Sequence, residues 1–430
     1  MKKIDVLYFI EHPGRELDMA VAIERVLREK FKLSVRIKSL LYESVTTLIT
    51  YKPRLIITPS TSFAKGSVAN IFFDVYGDNI SYINLNFEQY ISKATEKLKI
   101  PTNKNSREYQ HQFCWNENFL NLLRGGGIGE HLLKLTGRPH KTLIEKYYIQ
   151  NRQPIKVDLA KEHSLNQKMN WVFIAMSDGL AFTEEKKIKT FIESGSDSVL
   201  TKSSIAYTRK TSLTMLEWLP VVAEKNIDFQ FIVRPHPSIS VSVYFEYLDR
   251  HAQKTPSNIY VTKTDSALQW LAASDLLITD ISTLNIDARI MKIPVATIIV
   301  DNGPPEHLDT PDLGSNAIKC KTINDLNNVL ELVPDGIVDF NIEPKGLEVD
   351  AISITAEEIA LIAKKTKHLK FNYVRILFSI ILNFRRAAGS IIRLFLMKTG
   401  LKNLVRSGIH EDYFNGIVLQ KKAADIRYKD

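Results

Sequence analysis

Arg234-Pro235-His236-Pro237-Ser238 directly follows the apolar run Phe231-Ile232-Val233, and Ser282-Thr283 follows a second one, Leu276-Leu277-Ile278-Thr279, by way of Asp280-Ile281. Both halves read as a buried strand that ends in a polar turn, and the second turn opens a helix. Ligands of an open parallel sheet bind beyond the carboxyl ends of its strands, and a helix start offers N–H groups to an anion. Arg, His, Ser and Thr are thereby placed to meet a phosphate. The prolines on either side of His236 restrict the backbone and aim the imidazole, while Arg234 adds charge. Ser282 and Thr283 also suit an N-cap, which is compatible with phosphate binding. Asp280 is able to fix its turn through nearby backbone. Asp287 is read either as an acceptor for ribose hydroxyls or as part of a solvated helix face.

A second polar loop, Glu11-His12-Pro13-Gly14-Arg15-Glu16, follows the apolar run Val6–Ile10. His12 and Glu11 are of the type that removes a proton from a hydroxyl near neutral pH, and Arg15 suits an anionic substrate. The plain alternative is a helix start in which Glu16 complements the dipole. Asp178-Gly179, past the run Trp171–Ala175, is a further candidate for the floor of a site. Gly125-Gly126-Gly127 follows a helical run without a Lys-Ser/Thr after it and reads as a turn.

The elements that must position these residues alternate. In the first part, strands are expected at Asp5–Ile10, Leu33–Ile37, Arg54–Thr58 and Tyr82–Leu85, with a helix over Glu16–Phe31. In the second, strands are expected at Trp171–Ala175, Phe229–Val233, Ile259–Val261, Leu276–Thr279 and Val295–Val300, with helices near Thr211–Glu224, Ala267–Ala273 and Thr283–Met291. This alternation argues for βαβ units and parallel sheets. The expected architecture is α/β, with two Rossmann-like domains, 1–150 and 168–345, facing a cleft, and a helical C-terminal segment, 346–430.

The Arg-Pro-His-Pro and Thr-Asp-Ile-Ser-Thr motifs resemble those of GT-B-type transferases that build bacterial surface polymers. The CDP-glycerol glycerophosphotransferases of teichoic acid synthesis are similar in pattern, as are the capsule Kdo- and sialyltransferases. Ile281 stands where Tyr is usual and Thr283 where a second Ser is usual; Thr keeps the hydroxyl. Thr136-Gly137-Arg138-Pro139 resembles a Thr-Gly-x-Pro turn of the glycerophosphotransferases. The resemblance implies a donor site in the second domain, with Arg234, His236, Ser282, Thr283 and Asp287 binding a nucleotide-sugar or CDP-glycerol donor. It also implies an acceptor site in the first, with His12 or Glu11 as base and Arg15 binding a lipid-linked or polysaccharide acceptor. UDP-sugar 2-epimerases share the fold, so an isomerase remains open, as does a non-catalytic polymer-assembly protein.

Composition bounds these readings. The chain has 430 residues, 44% apolar and 24% charged, as in a soluble globular protein. Its two cysteines, Cys114 and Cys320, suggest neither a disulfide framework nor a metal site, which fits a reducing cytoplasm. The start Met1-Lys2-Lys3 is followed by too short an apolar run for a signal peptide. No Asp-x-Asp, no His/Cys cluster and no Walker loop occurs, so neither metal nor cofactor is expected. Eleven lysines and arginines and no acid lie between Lys364 and Arg406, which exceeds the net charge of +9 of the whole chain. Basic character confined to one segment argues against a nucleic-acid partner. The uncharged stretch Ile376–Phe384 has nine residues, short of a membrane span. With its basic flanks it reads as a helix on an anionic membrane surface, or as a core helix packed back on the first domain. The expected location is the cytoplasmic face of the cell membrane.

Overall fold

The computed structural model describes the chain apart from residues 61–67, 92–95, 194–196, 252–253, 309–316, 334–348, 367–375, 378, 380, 382–383, 402–403, 406–412 and 427–430. Two compact units result. The first comprises Met1–Gln89, Lys97–Leu143 and Gly346–Asp430, and the second Tyr90–Glu96 and Ile144–Lys345. The C-terminal stretch, set apart by its sequence, thus belongs to the first unit.

The first unit holds a six-stranded sheet of β1 (Lys2–Ile10), β2 (Val35–Ser39), β3 (Tyr51–Thr58), β4 (Ser81–Asn84), β5 (Gln110–Cys114) and β6 (Leu133–Leu135). Its order is β2-β1-β3-β4-β5-β6 and every pairing is parallel. β1 is buried over Val6–Ile10 because helices cover both faces of such a sheet. Helix Pro13–Glu29 starts with Pro13, where the missing N–H costs nothing. It packs against Ala351–Lys365 and Gly416–Asp425 from the returning chain. The Thr136-Gly137 turn seats the first of these: Gly137 has φ +76°, and a Cβ there would lie 3.0 Å from the Ala351 Cβ. Thr142 Oγ1 also accepts from the Ala351 N–H at 3.0 Å.

The second unit holds β7 (Asn170–Ile174), β8 (Phe229–Val233), β9 (Ile259–Val261), β10 (Leu276–Thr279), β11 (Val295–Ile298) and β12 (Ile318–Cys320). The order is β12-β11-β10-β7-β8-β9, again wholly parallel. Read from the other edge this is the dinucleotide-fold order, with β7 as first strand. The 28-residue helix Ser198–Lys225 begins thirteen residues before the helix expected from sequence; Asp197 caps it by accepting from the Leu200 N–H at 2.9 Å. Its apolar side meets Phe231, Val233 and Ile278 in the core, where each buried side chain contributes about 1.5–3 kcal/mol.

Among the described residues no helix is long and apolar enough to cross a membrane. Of the basic segment, Lys367, Lys370, Arg375, Lys402 and Arg406 lie outside the described residues, as does part of Ile376–Phe384.

Candidate functional site

The strand order of the second sheet reverses between β7 and β10, and an open α/β sheet binds ligands at such a point. Three polar loops leave the carboxyl ends of adjacent strands here: 175–183 after β7, 234–240 after β8 and 280–283 after β10. Hydrogen bonds tie them together. Asp178 accepts from the His236 backbone N–H at 3.1 Å and from the Tyr244 hydroxyl at 2.5 Å. Asp280 accepts from the Ser177 N–H at 2.8 Å and from the Ile281 N–H, so it does fix its own turn.

The imidazole of His236 lies against the backbone of Gly179, and its Nδ1 accepts from the Ser238 N–H at 3.2 Å. With Nδ1 engaged by Ser238, Nε2 is the second polar atom of the ring, and it donates in the Nε2–H tautomer. The Ser238 hydroxyl, 2.9 Å from Nδ1, adds a second constraint. Arg234 is buried, and its guanidinium donates to the carbonyls of Thr264 and Asp265 at 2.7 and 2.9 Å. Its charge therefore stands in the motif while its N–H groups anchor the loop after β9. That loop is held in turn by Asp265, 2.9 Å from His163 Nε2, with Tyr260 at 2.9 Å from Nδ1. Glu162, His163 and Asp265 bring potential ligand atoms within 4.8 Å of one another, but both His163 nitrogens are engaged in this network.

Ser282 Oγ accepts from the Leu284 N–H at 3.3 Å, and the Thr283 side chain makes no capping bond. The helix they open, Leu284–Ile290, has only seven residues, so its dipole is modest. Asp287 is buried, which removes the solvated-face reading.

Two carboxyls at this point are strongly perturbed. Burial pushes Asp178 up to about 7, with the nearby Asp280 adding to the rise and Tyr244 and the His236 N–H opposing it. Burial likewise pushes Asp280 up to about 6. Its Oδ2 is buried without a partner among the described residues. Perturbed acids in such a place are a mark of function.

In the first unit the order reverses between β1 and β3, and Glu11-His12 leave the carboxyl end of β1. The centre of this loop is Glu16, which the sequence marks only as a helix-start acid. Fully buried, it accepts from the Glu11 N–H at 2.6 Å and from Arg15 Nη2 at 2.6 Å. Arg15 also pairs with Glu88 at 2.6 Å, so two carboxylates already balance its charge. His12 is the N-cap position of helix Pro13–Glu29, without a side-chain cap bond. Tyr8, on β1, is fully buried with no partner for its hydroxyl among the described residues. Only the juxtaposition of strands gives Glu16 and Tyr244 their roles here; Asp178 and Gly179 had a sequence signal, an Asp-Gly just past a buried run.

No protein-family model matches the sequence, and no curated protein does. Solved structures match in fold. UDP-GlcNAc 2-epimerase of Methanocaldococcus jannaschii, in complex with UDP-GlcNAc and UDP, aligns with TM-score 0.50 at 11% identity over 84% of this chain and 99% of that one. The Neisseria meningitidis enzyme bound to UDP-GlcNAc gives the same values. The wall teichoic acid polymerase TagF aligns at TM-score 0.48 and 10% identity over 89% of each chain. The two epimerase structures, with the two wholly parallel six-stranded sheets, show the α/β fold of GT-B type. At this identity the likeness is one of fold.

Proposed function

We propose that this chain is a transferase of bacterial surface-polymer synthesis. It moves a sugar or glycerol phosphate from a nucleotide-activated donor to a growing polysaccharide or lipid-linked acceptor at the cytoplasmic face of the membrane. The observation that carries this reading is the placement of His236, whose imidazole is held by Ser238 and Gly179 at the switch point of the second sheet. In this reading Nε2–H donates to a phosphate oxygen of the donor. Ser282 and Thr283 supply hydroxyl and N–H groups to the same phosphate, and Arg234 adds positive charge. Charge that builds on the leaving phosphate is met by groups already in place. Asp287 receives ribose hydroxyls. In the first unit His12 or Glu11 takes the proton of the acceptor hydroxyl, and Arg15 binds an anionic acceptor group. The chemistry is metal-independent, as the lack of any Asp-x-Asp suggests.

The likeness to two UDP-GlcNAc 2-epimerases favours a second reading, isomerisation of a UDP-sugar, in which the raised carboxyls Asp178 and Asp280 would be suited to hold protons near neutral pH. A thermal-shift series with CMP, CDP, CDP-glycerol, UDP and UDP-sugars tests the shared donor site. Stabilisation by one nucleotide that disappears in His236→Ala supports it; no shift with any of them sinks both readings. A radiolabelled donor then separates polymer growth from free epimer.

A further inference from the structure

Part of the returning chain of the first unit, around helix Phe384–Lys398, places polar side chains inward and apolar ones outward. Ser379 and Ser390 are buried, and their hydroxyls donate to the carbonyls of Ile71 at 3.2 Å and Tyr42 at 2.8 Å. Arg393 donates to the Leu41 carbonyl at 3.1 Å. The same stretch turns large apolar side chains outward: Leu377 is 61% exposed, Ile381 60%, Ile392 55% and Phe395 60%. A helix on the surface of a water-soluble body does the reverse, with its apolar stripe inward. Elsewhere exposed apolar residues such as Val199 and Ile227 stand singly, which is ordinary. Here Ile391, Ile392 and Phe395 share one helix, Phe384–Lys398, with Leu404 exposed just beyond it.

We infer that this face docks on an anionic lipid bilayer, with helix Phe384–Lys398 lying in the interface. Charge decides between lipid and protein as the occupant. The sequence over 364–406 has eleven lysines and arginines without one acid, of which Lys364, Lys365 and Lys398 are exposed among the described residues, and such a segment complements an anionic surface, whereas the core of a protein interface is depleted of charge. The helix has fifteen residues, too few to span a bilayer but enough to lie on it. The inference deepens the membrane-acceptor part of the reading above, but transfer to a soluble acceptor would leave it intact.

Co-sedimentation with vesicles tests it in the absence of donor, on the full chain. The protein is expected to bind vesicles of phosphatidylcholine mixed with phosphatidylglycerol, to bind phosphatidylcholine alone weakly, and to release as salt is raised. Ile392→Ser with Phe395→Ser should lower partitioning at least about tenfold while the melting temperature holds, because both side chains are exposed. Lys398→Glu should weaken binding to the anionic vesicles only. Equal binding by wild type and the double variant overturns the inference. So does a failure of wild type to bind, including the case in which a concentration-dependent dimer, lost in the double variant, shows that a second copy covers this face. Nucleotide stabilisation is read separately, so failure of the surface and failure of the donor site are distinguishable.

Discussion

Gly179 and His236 touch so closely that no side chain fits between them: a Cβ on Gly179 would lie 2.8 Å from the imidazole Cε1 and 2.9 Å from Nδ1. Because Ser238 holds the ring by backbone and hydroxyl, the imidazole has no easy retreat. Gly179→Ala should therefore displace the ring at a cost of roughly 1–3 kcal/mol. Nucleotide binding should weaken by about tenfold or more. Titration of the variant and wild type with the stabilising nucleotide checks this; equal affinities would detach His236 from the ligand.

Asp178 gives stability a definite pH slope. Its folded value of about 7 stands above the ordinary carboxyl value of 3.8, first because of burial. The folded chain therefore keeps a proton that the unfolded chain releases. Its contribution to stability is most favourable below about pH 4, declines as pH rises to about 7, and is level beyond. Asp280, raised to about 6, acts in the same direction. Urea melts across this range should show stability falling by on the order of a few kcal/mol. The decline should be shallower in Asp178→Asn, which has no proton to lose. Identical slopes would mean that Asp178 ionises like an exposed carboxyl.

Tyr8 is a case where less polarity should be better. Its hydroxyl is buried without a partner among the described residues, beside the acid Glu16. Tyr8→Phe removes an unsatisfied group and should raise stability by about 1 kcal/mol. A loss of that size instead would reveal a partner for the hydroxyl, such as a bound water or ligand.

Much of the frame is legible in the chain because parallel strands covered on both faces read as continuous apolar runs, as at Phe229–Val233 and Leu276–Ile278. β5 escapes for the opposite reason. Its sequence, Gln110-His111-Gln112-Phe113-Cys114, has no strand pattern, yet Gln110 and Gln112 are fully buried. They are accommodated by side-chain partners on neighbouring segments: Asn84 donates to Gln112 at 3.0 Å and Gln110 to Thr58 at 3.4 Å. At the site, the motif residues of 234–238 and 280–287 stand out by type and order. The bonds that set their chemistry do not, since Asp178 reaches His236 across 58 residues and Arg15 reaches Glu88 across 73. The C-terminal stretch shows its charge in sequence, but Ser390 finds Tyr42 only through the fold.

The return of the chain to the first unit also sets an order of assembly on the ribosome. The second unit is almost continuous in sequence, whereas helix Pro13–Glu29, which precedes it, packs on Ala351–Lys365 and Gly416–Asp425, which follow it. Asp18, on the early helix, is buried and meets its ion-pair partner Lys422 at 3.3 Å. Until translation delivers that lysine, Asp18 lacks this counter-charge. Completion of the first unit therefore waits on residues that follow the second unit in sequence, which departs from the usual domain-by-domain order of growth from the N-terminus.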